Sequence, residues 1–172
     1  MHGLERLPRE PCVVVANHAS YLDGVVAIAA LPADFAFVIK REMVRVPLAG
    51  LLLRRLGSEF VERHHHARSA ADARRIVRRA ATGQSLVFFP EGTFTEAPRI
   101  GRFQRGAFAT AERAGMPVVA VAIHGTREVL PSGTALIRRA PIRVEVLDTL
   151  HGGAAREHSR ALISGAVGEP LA

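Results

Sequence analysis

The first residues in this chain whose types and spacing suggest chemistry are Asn17-His18-Ala19-Ser20-Tyr21-Leu22-Asp23, a histidine with a carboxylate five positions on. Further along, Phe89-Pro90-Glu91-Gly92-Thr93 sets another carboxylate in a Pro/Gly turn directly after an apolar run. A base, a group that orients it and a polar loop for a substrate are what transfer onto a hydroxyl requires. Five residues at 3.6 per turn leave two side chains about 140° apart on a regular helix. The pairing therefore needs His18 in a turn and Asp23 in the following helix, reaching back to the imidazole. Asp23 then accepts from one ring nitrogen and leaves the other as a base. Taken singly, each block also suits a plainer role: a structural or capping His-Asp pair, and an ordinary Pro/Gly turn.

Other reactive-looking residues read differently. Ser20 does not sit in a Gly-x-Ser-x-Gly elbow, which argues against a serine-nucleophile hydrolase. Three consecutive histidines, His64-His65-His66, cannot converge on one ion from regular structure, so they read as solvated surface. Arg74, Arg75, Arg78 and Arg79 read as the exposed face of an amphipathic helix.

The elements that must position the two blocks alternate between strand and helix. Residues 12–16 (CVVVA) form a short β-branched strand ending at the Asn-His block. Residues 24–31 are apolar and helix-sized, 35–39 read as a strand, 48–56 as an apolar helical stretch and 57–61 as a brief strand. The next helix is capped by Ser69, with Asp72 at its third position and Ala73, Ile76, Val77 and Ala80 on one stripe, before a stop at Gly83. Residues 85–89 (SLVFF) make a buried strand, and Ala107, Phe108, Ala111 and Ala114 mark a helix ending at Gly115. Strands over 118–123 and 142–147 and a closing helix over 154–167 complete the pass. This alternation predicts one α/β domain over residues 1–172, a mixed, largely parallel central sheet flanked by helices. Both blocks then follow strands, where open α/β sheets place their chemistry.

Composition narrows the function classes. The chain has 172 residues, 48% of them hydrophobic, which suits a real core and argues against disorder. Its single cysteine, Cys12, has no internal disulfide partner. No apolar run approaches the roughly 18–20 residues needed to cross a bilayer, and the start has no signal-peptide pattern. The formal net charge is +7, and Lys40 is the single lysine among 23 basic residues. Such a surface attracts anionic partners within a screening length of about 8–10 Å. Nucleic acid is disfavoured as that partner, because the chain has no recognisable binding motif and only 5% aromatics for stacking. Residues 40–55 (KREMVRVPLAGLLLRR) read either as a membrane-facing element or as an internal helix with charged ends.

With these residues in view, the chain resembles the PlsC-like glycerolipid acyltransferases of the lysophosphatidic acid acyltransferase type. Asn17-His18 to Asp23 resembles the family's His-four-residues-Asp motif, and Gly57-Ser58-Glu59-Phe60-Val61-Glu62-Arg63 its second block. Phe89-Pro90-Glu91-Gly92-Thr93 resembles the third block, and Met116-Pro117-Val118-Val119 the fourth. Lys40-Arg41-Glu42 through Pro47 and Gly50 resembles the segment between the first two, so the match runs from about residue 12 to residue 127.

The resemblance implies a glycerol-3-phosphate/lysophosphatidate acyltransferase-like fold and transfer of a fatty acyl group from acyl-CoA or acyl-carrier protein to a lysolipid hydroxyl. In that reading His18 is the general base and Asp23 orients it, while Arg63, Glu91, Gly92 and Thr93 bind the acceptor. No cofactor or metal is required, the chain contacts anionic membrane peripherally, and the expected location is cytoplasmic, on the inner face of the cell membrane. Oligomeric state is left open. Thioester or lipid-ester hydrolysis by the same His-Asp pair is the alternative. Many family members with a lysophosphatidic acid acceptor carry arginine after Glu-Gly-Thr, where this chain has Phe94; Arg99, Arg102 and Arg105 follow soon after.

Overall fold

The computed structural model describes residues 1–32, 34–40, 58–61, 66–93, 96–134 and 136–172. Its strands are β1 (Val13–Ala16), β2 (Ala36–Lys40), β3 (Glu59–Val61), β4 (Leu86–Phe88), β5 (Val118–His124) and β6 (Arg143–Leu150). Among the described residues they form one sheet in the order β3-β2-β4-β1-β5-β6. Every pairing is parallel except that of β5 with β6. The helices are α1 (Asp23–Ala30), α2 (His66–Ala81), α3 (Gly106–Ala114), the short α4 (Thr126–Val129) and α5 (Ala155–Val167). This is the expected mixed, largely parallel α/β architecture.

Burial explains the strand sequences. β1 lies between β4 and β5, and its VVVA run is buried throughout. A central parallel strand covered on both faces needs apolar side chains in both directions. Val14 and Ala16 pack with Val87, Val119 and Val121 on the side of α1, along with Phe35 and Phe37. Val13 and Val15 point the other way, toward Ile76 and Ala80 of α2, Ala107 and Ala111 of α3 and Ala155 of α5. Burial alternates along β6 instead, as suits an edge strand covered on one face: Val144, Val146 and Leu150 are buried, whereas Arg143 and Asp148 are exposed. His2 is bridged to this strand, its N–H donating to the Val144 carbonyl at 2.8 Å.

The arginine-rich helix departs from expectation. α2 begins at His66, so Ser69 lies within the helix rather than capping it. Asp72 is buried and Ala73 exposed, which shifts the inward stripe to Asp72, Ile76 and Ala80. Nor do the four arginines form one solvated face. Arg75 Nε meets Glu59 Oε2 at 2.9 Å, and Arg79 bonds the other oxygen of the same carboxylate. Glu59 keeps only 12% of its side chain exposed, and carrying two guanidinium partners there ties β3 to α2. Amphipathic spacing shows which helix face is polar but not which strand end it will meet. The stretch over 48–56, most of 40–55, and His64 and His65 lie outside the described residues. So do Arg63 and Phe94.

Candidate active site

The turn leaving β1 is held from both sides. Asn17, buried to 2%, accepts the Ile123 N–H on Oδ1 at 2.8 Å and donates Nδ2–H to the Ile123 carbonyl at 2.9 Å. Its side chain thus prolongs the β1–β5 pairing by one step beyond the strand's end. Ser20 Oγ donates to the Leu130 carbonyl at 2.8 Å and accepts the Leu22 N–H at 3.2 Å. That engages the hydroxyl in bracing the turn.

Asp23 opens α1 and is fully buried. The position suits a negative charge, because unpaired helix N–H groups and the helix dipole favour anions there. Three donors converge on one carboxylate oxygen, Oδ2. The Ala19 N–H lies at 2.6 Å, the Ser20 N–H at 2.8 Å and His18 Nδ1 at 2.9 Å. Oδ1 is buried with no hydrogen-bond partner among the described residues. The His18–Asp23 pair required by five-residue spacing is therefore made, from a turn back onto a helix start. A carboxylate only accepts, so Nδ1 carries the proton and the lone pair stays on Nε2. The ring rests on Phe89, centroids 4.9 Å apart, and the histidine side chain remains 21% exposed.

Strand register places the second carboxylate. β1 and β4 pair in parallel with Val15 opposite Phe88. Three residues past each of these stand His18 and Glu91, so the two turns emerge side by side. Glu91 Oε1 accepts the backbone N–H of His18 at 2.8 Å, and Oε2 accepts that of Gly101 at 2.6 Å. Burial raises the Glu91 carboxyl above its ordinary value and nearby Glu169 adds to the rise, against the two N–H bonds and His18, which lower it. Gly92 follows at φ 78°, a left-handed conformation that glycine adopts without strain, and its N–H closes the turn on the Phe89 carbonyl at 3.0 Å. Thr93 is exposed. A Cβ at Gly101 would press on Glu91 Oε2 at 3.0 Å, so a side chain there would push the carboxylate by a few tenths of an ångström.

The structure thus brings His18, Asp23 and Glu91 into one hydrogen-bonded group, with Gly92 in the adjoining turn. Asn17 and Gly101 belong to the same scaffold but were not singled out from sequence. Asn17 stands beside His18 in the motif, a signal that was available; Gly101 stands in an unremarkable loop and gave none. A cavity of about 580 Å³ opens elsewhere, between α3 and the start of α5. Val118 and Leu150 in its lining put it at the opposite end of the sheet from His18. Among the described residues no three His, Cys, Asp or Glu side chains gather to hold a metal ion. Cys12 is fully buried, and burial pushes its thiol up to about 11, which keeps it unreactive.

Comparison with known proteins gives this geometry a family. A family model described as Acyltransferase matches residues 1–124. A chloroplastic 1-acyl-sn-glycerol-3-phosphate acyltransferase from Brassica napus is 31% identical over 158 residues, covering 90% of this chain and 46% of that protein. A lyso-ornithine lipid O-acyltransferase from Pseudomonas aeruginosa is 36% identical over 132 residues, covering 74% and 48%. The chain spans about half the length of these curated relatives. The crystal structure of PlsC, the 1-acyl-sn-glycerophosphate (LPA) acyltransferase from Thermotoga maritima, shares the fold, with a TM-score of 0.78 at 24% identity over 96% of this chain and 67% of that one. Since the matched span takes in His18, Asp23 and Glu91 together, the chain belongs to the acyltransferase family.

Proposed function

We propose that this protein transfers a fatty acyl group from an acyl thioester, acyl-CoA or acyl-carrier protein, to the free hydroxyl of a lysolipid such as 1-acylglycerol-3-phosphate. The observation that carries the reading is the His18–Asp23 pair: Nδ1 is 2.9 Å from a buried carboxylate, on a histidine side chain still 21% exposed. With Nδ1–H committed to Asp23, Nε2 takes the proton of the acceptor hydroxyl as its oxygen attacks the thioester carbonyl. Asp23 stabilises the imidazolium that forms. The C–S bond then breaks, and the departing thiolate recovers the proton from His18. The acceptor oxygen itself attacks, so the step needs no covalent intermediate on Ser20.

The remaining assignments support this chemistry. Glu91 fixes the His18 turn from behind, and Gly92 and Thr93 present the loop to the acceptor. Arg63 supplies a planar fork of donors for an anionic head group. Membrane contact is part of the same reading. Leu136 and Ile137 are 67% and 68% exposed, beside the exposed Arg138 and Arg139. This loop is stitched close to the His18 turn: the Arg138 N–H bonds the Val129 carbonyl at 2.8 Å, and the next carbonyl, that of Leu130, is the one held by Ser20. Apolar tips with adjoining cations suit an anionic lipid interface, where a lysolipid acceptor would reside. Among the described residues no helix is long and apolar enough to cross a membrane.

The test is incubation of the purified protein with acyl-CoA and acyl-carrier-protein donors against a panel of lysolipids, with product lipids identified by mass spectrometry. A doubly acylated lipid that requires both substrates is expected. Thioester cleavage independent of acceptor would reject the proposal.

A further inference from the structure

We infer that Arg160, on the last helix and outside the family-matched span of residues 1–124, is a positioning residue for His18. The inference rests on the acyl-transfer reading for its kinetic consequences, but its geometry stands apart from the identity of the substrates. Arg160 Nε donates to the Gly101 carbonyl at 2.8 Å, and Nη2 donates to the Ile100 carbonyl at 3.0 Å and to the Ala172 carbonyl at 2.6 Å. The same Gly101 residue donates its N–H to Glu91 Oε2 at 2.6 Å, while Glu91 Oε1 takes the His18 N–H at 2.8 Å. Four residues are thus joined in series, Arg160 to Gly101 to Glu91 to His18, with both polar groups of Gly101 engaged.

Two features make this chain stiff enough to matter. Ile100, 1% exposed, is anchored among Phe103, Ala120 and Ile163, so the loop's apolar side is fixed to β5 and α5. The Gln104 N–H bonds the Pro90 carbonyl at 2.8 Å, which ties the far end of the loop to the turn bearing Glu91. The peptide between Ile100 and Gly101 is held by the C-terminal segment as well, since the Ala172 N–H bonds the Ile100 carbonyl at 3.0 Å and the Ile100 N–H bonds the Pro170 carbonyl at 2.9 Å. Glycine has no Cβ to add to that hold, and one placed there would press on Glu91 Oε2 at 3.0 Å. The rigid guanidinium fork adds to that hold: it grips the consecutive carbonyls of Ile100 and Gly101 and, through the Ala172 carbonyl, the segment that supplies the backbone bond, so peptide and segment are locked together. A turned peptide would withdraw the N–H from Glu91 and free the carboxylate to swing away from the His18 turn.

Arg160→Ala and Arg160→Lys are to be compared with wild type and with Arg156→Ala, a control on the same helix whose guanidinium bonds only its neighbour Glu157 in the contacts described. Since misplacement of a reacting group by about 1 Å costs on the order of 100-fold, partial loosening of the turn should lower kcat in Arg160→Ala on the order of 10-fold. KM should stay within about threefold, with Arg160→Lys intermediate and Arg156→Ala unchanged. Amide hydrogen exchange, read by NMR, should quicken at Gly101 and His18 in Arg160→Ala and not in Arg156→Ala. Wild-type exchange at both amides in a folded Arg160→Ala protein would overturn the inference, whatever happens to activity. So would faster exchange with unchanged kcat. If Arg160→Ala fails to fold, Arg160→Lys decides by the same two measurements. Absence of acyl transfer in wild type would count against the functional reading alone, because the exchange comparison needs no substrate.

Discussion

Asp23→Asn is the substitution that separates the two jobs of the buried carboxylate. An asparagine can fit this site in two orientations. In one, its amide oxygen takes the place of Oδ2 and keeps all three donors, from His18, Ala19 and Ser20, while its NH2 enters the Oδ1 position, which has no partner. In the other, the NH2 faces two backbone N–H groups that now stand 2.6 and 2.8 Å from Oδ2. Each buried polar group left unpaired costs about 1–3 kcal/mol, so the second orientation is penalised at least twice and adds donor–donor repulsion. The first therefore prevails, and His18 keeps its proton on Nδ1. What disappears is the negative charge beside the imidazolium formed during transfer. Unit charges about 4 Å apart in an effective dielectric near 20 interact by ~4 kcal/mol. A loss of about 2–4 kcal/mol lowers kcat/KM by roughly 30- to 1000-fold. That is less than the roughly 10⁴-fold loss that accompanies a reversed histidine tautomer in the serine-protease triad. The assay is kcat/KM for acyl transfer at saturating donor, with 15N NMR of the His18 ring to read the tautomer. Activity within threefold of wild type would refute the charge argument, and a proton found on Nε2 in the neutral ring would refute the orientation argument.

Further perturbations test other parts of the account. Glu91→Gln retains one acceptor oxygen for two N–H donors, so kcat should fall on the order of 10-fold as the His18 turn loosens. Burial raises the Glu91 carboxyl above its ordinary 4.5, so its contribution to stability is present below that value and is lost as pH rises through the elevated one. The stability of wild type relative to Glu91→Gln should therefore decline from pH 4.5 toward neutrality; a difference that is flat or grows across that range in thermal melts contradicts the burial assignment. Leu136→Asp with Ile137→Asp should cut co-sedimentation with vesicles containing anionic lipid by about 10-fold or more while leaving transfer to detergent-dispersed acceptor intact. Unchanged vesicle binding would move the lipid contact elsewhere. Phe94→Arg should raise activity on lysophosphatidic acid relative to uncharged or zwitterionic lysolipids, and no gain would remove Phe94 as a determinant of acceptor choice.

Local pattern carried some parts of this structure and had no access to others. The valines of β1 and the alternation of elements were enough to read a largely parallel sheet, because a strand covered on both faces leaves a continuous apolar run. His18 and Asp23 were legible as a pair, since five residues suffice for a turn and one helix start. The neighbouring turns of His18 and Glu91 needed the β1–β4 register, which no single-strand pattern contains. Arg75 and Arg79 looked like solvent-facing charges, because helical periodicity does not reveal that Glu59 at a strand end stands opposite them. Arg160 and Gly101 are 59 positions apart, and their contact exists only after α5 has packed on the sheet. Ser69 has the chemistry of a cap, yet α2 begins at His66, about one turn earlier than a Ser69 cap implies, and packing of Asp72 and Ile76 sets the inward face.

Removal of the acceptor-hydroxyl proton by His18 is read out by the acceptor-dependent rates of wild type and His18→Ala. Both proteins would be followed with one acyl thioester and the lysolipid that wild type uses best, with product measured by mass spectrometry and folding by circular dichroism. Wild type should give a doubly acylated product, and a fully folded His18→Ala protein should be slower by at least about 100-fold, the scale of general-base catalysis. A folded His18→Ala protein that acylates the lysolipid at more than a tenth of the wild-type rate would rule out His18 as the base.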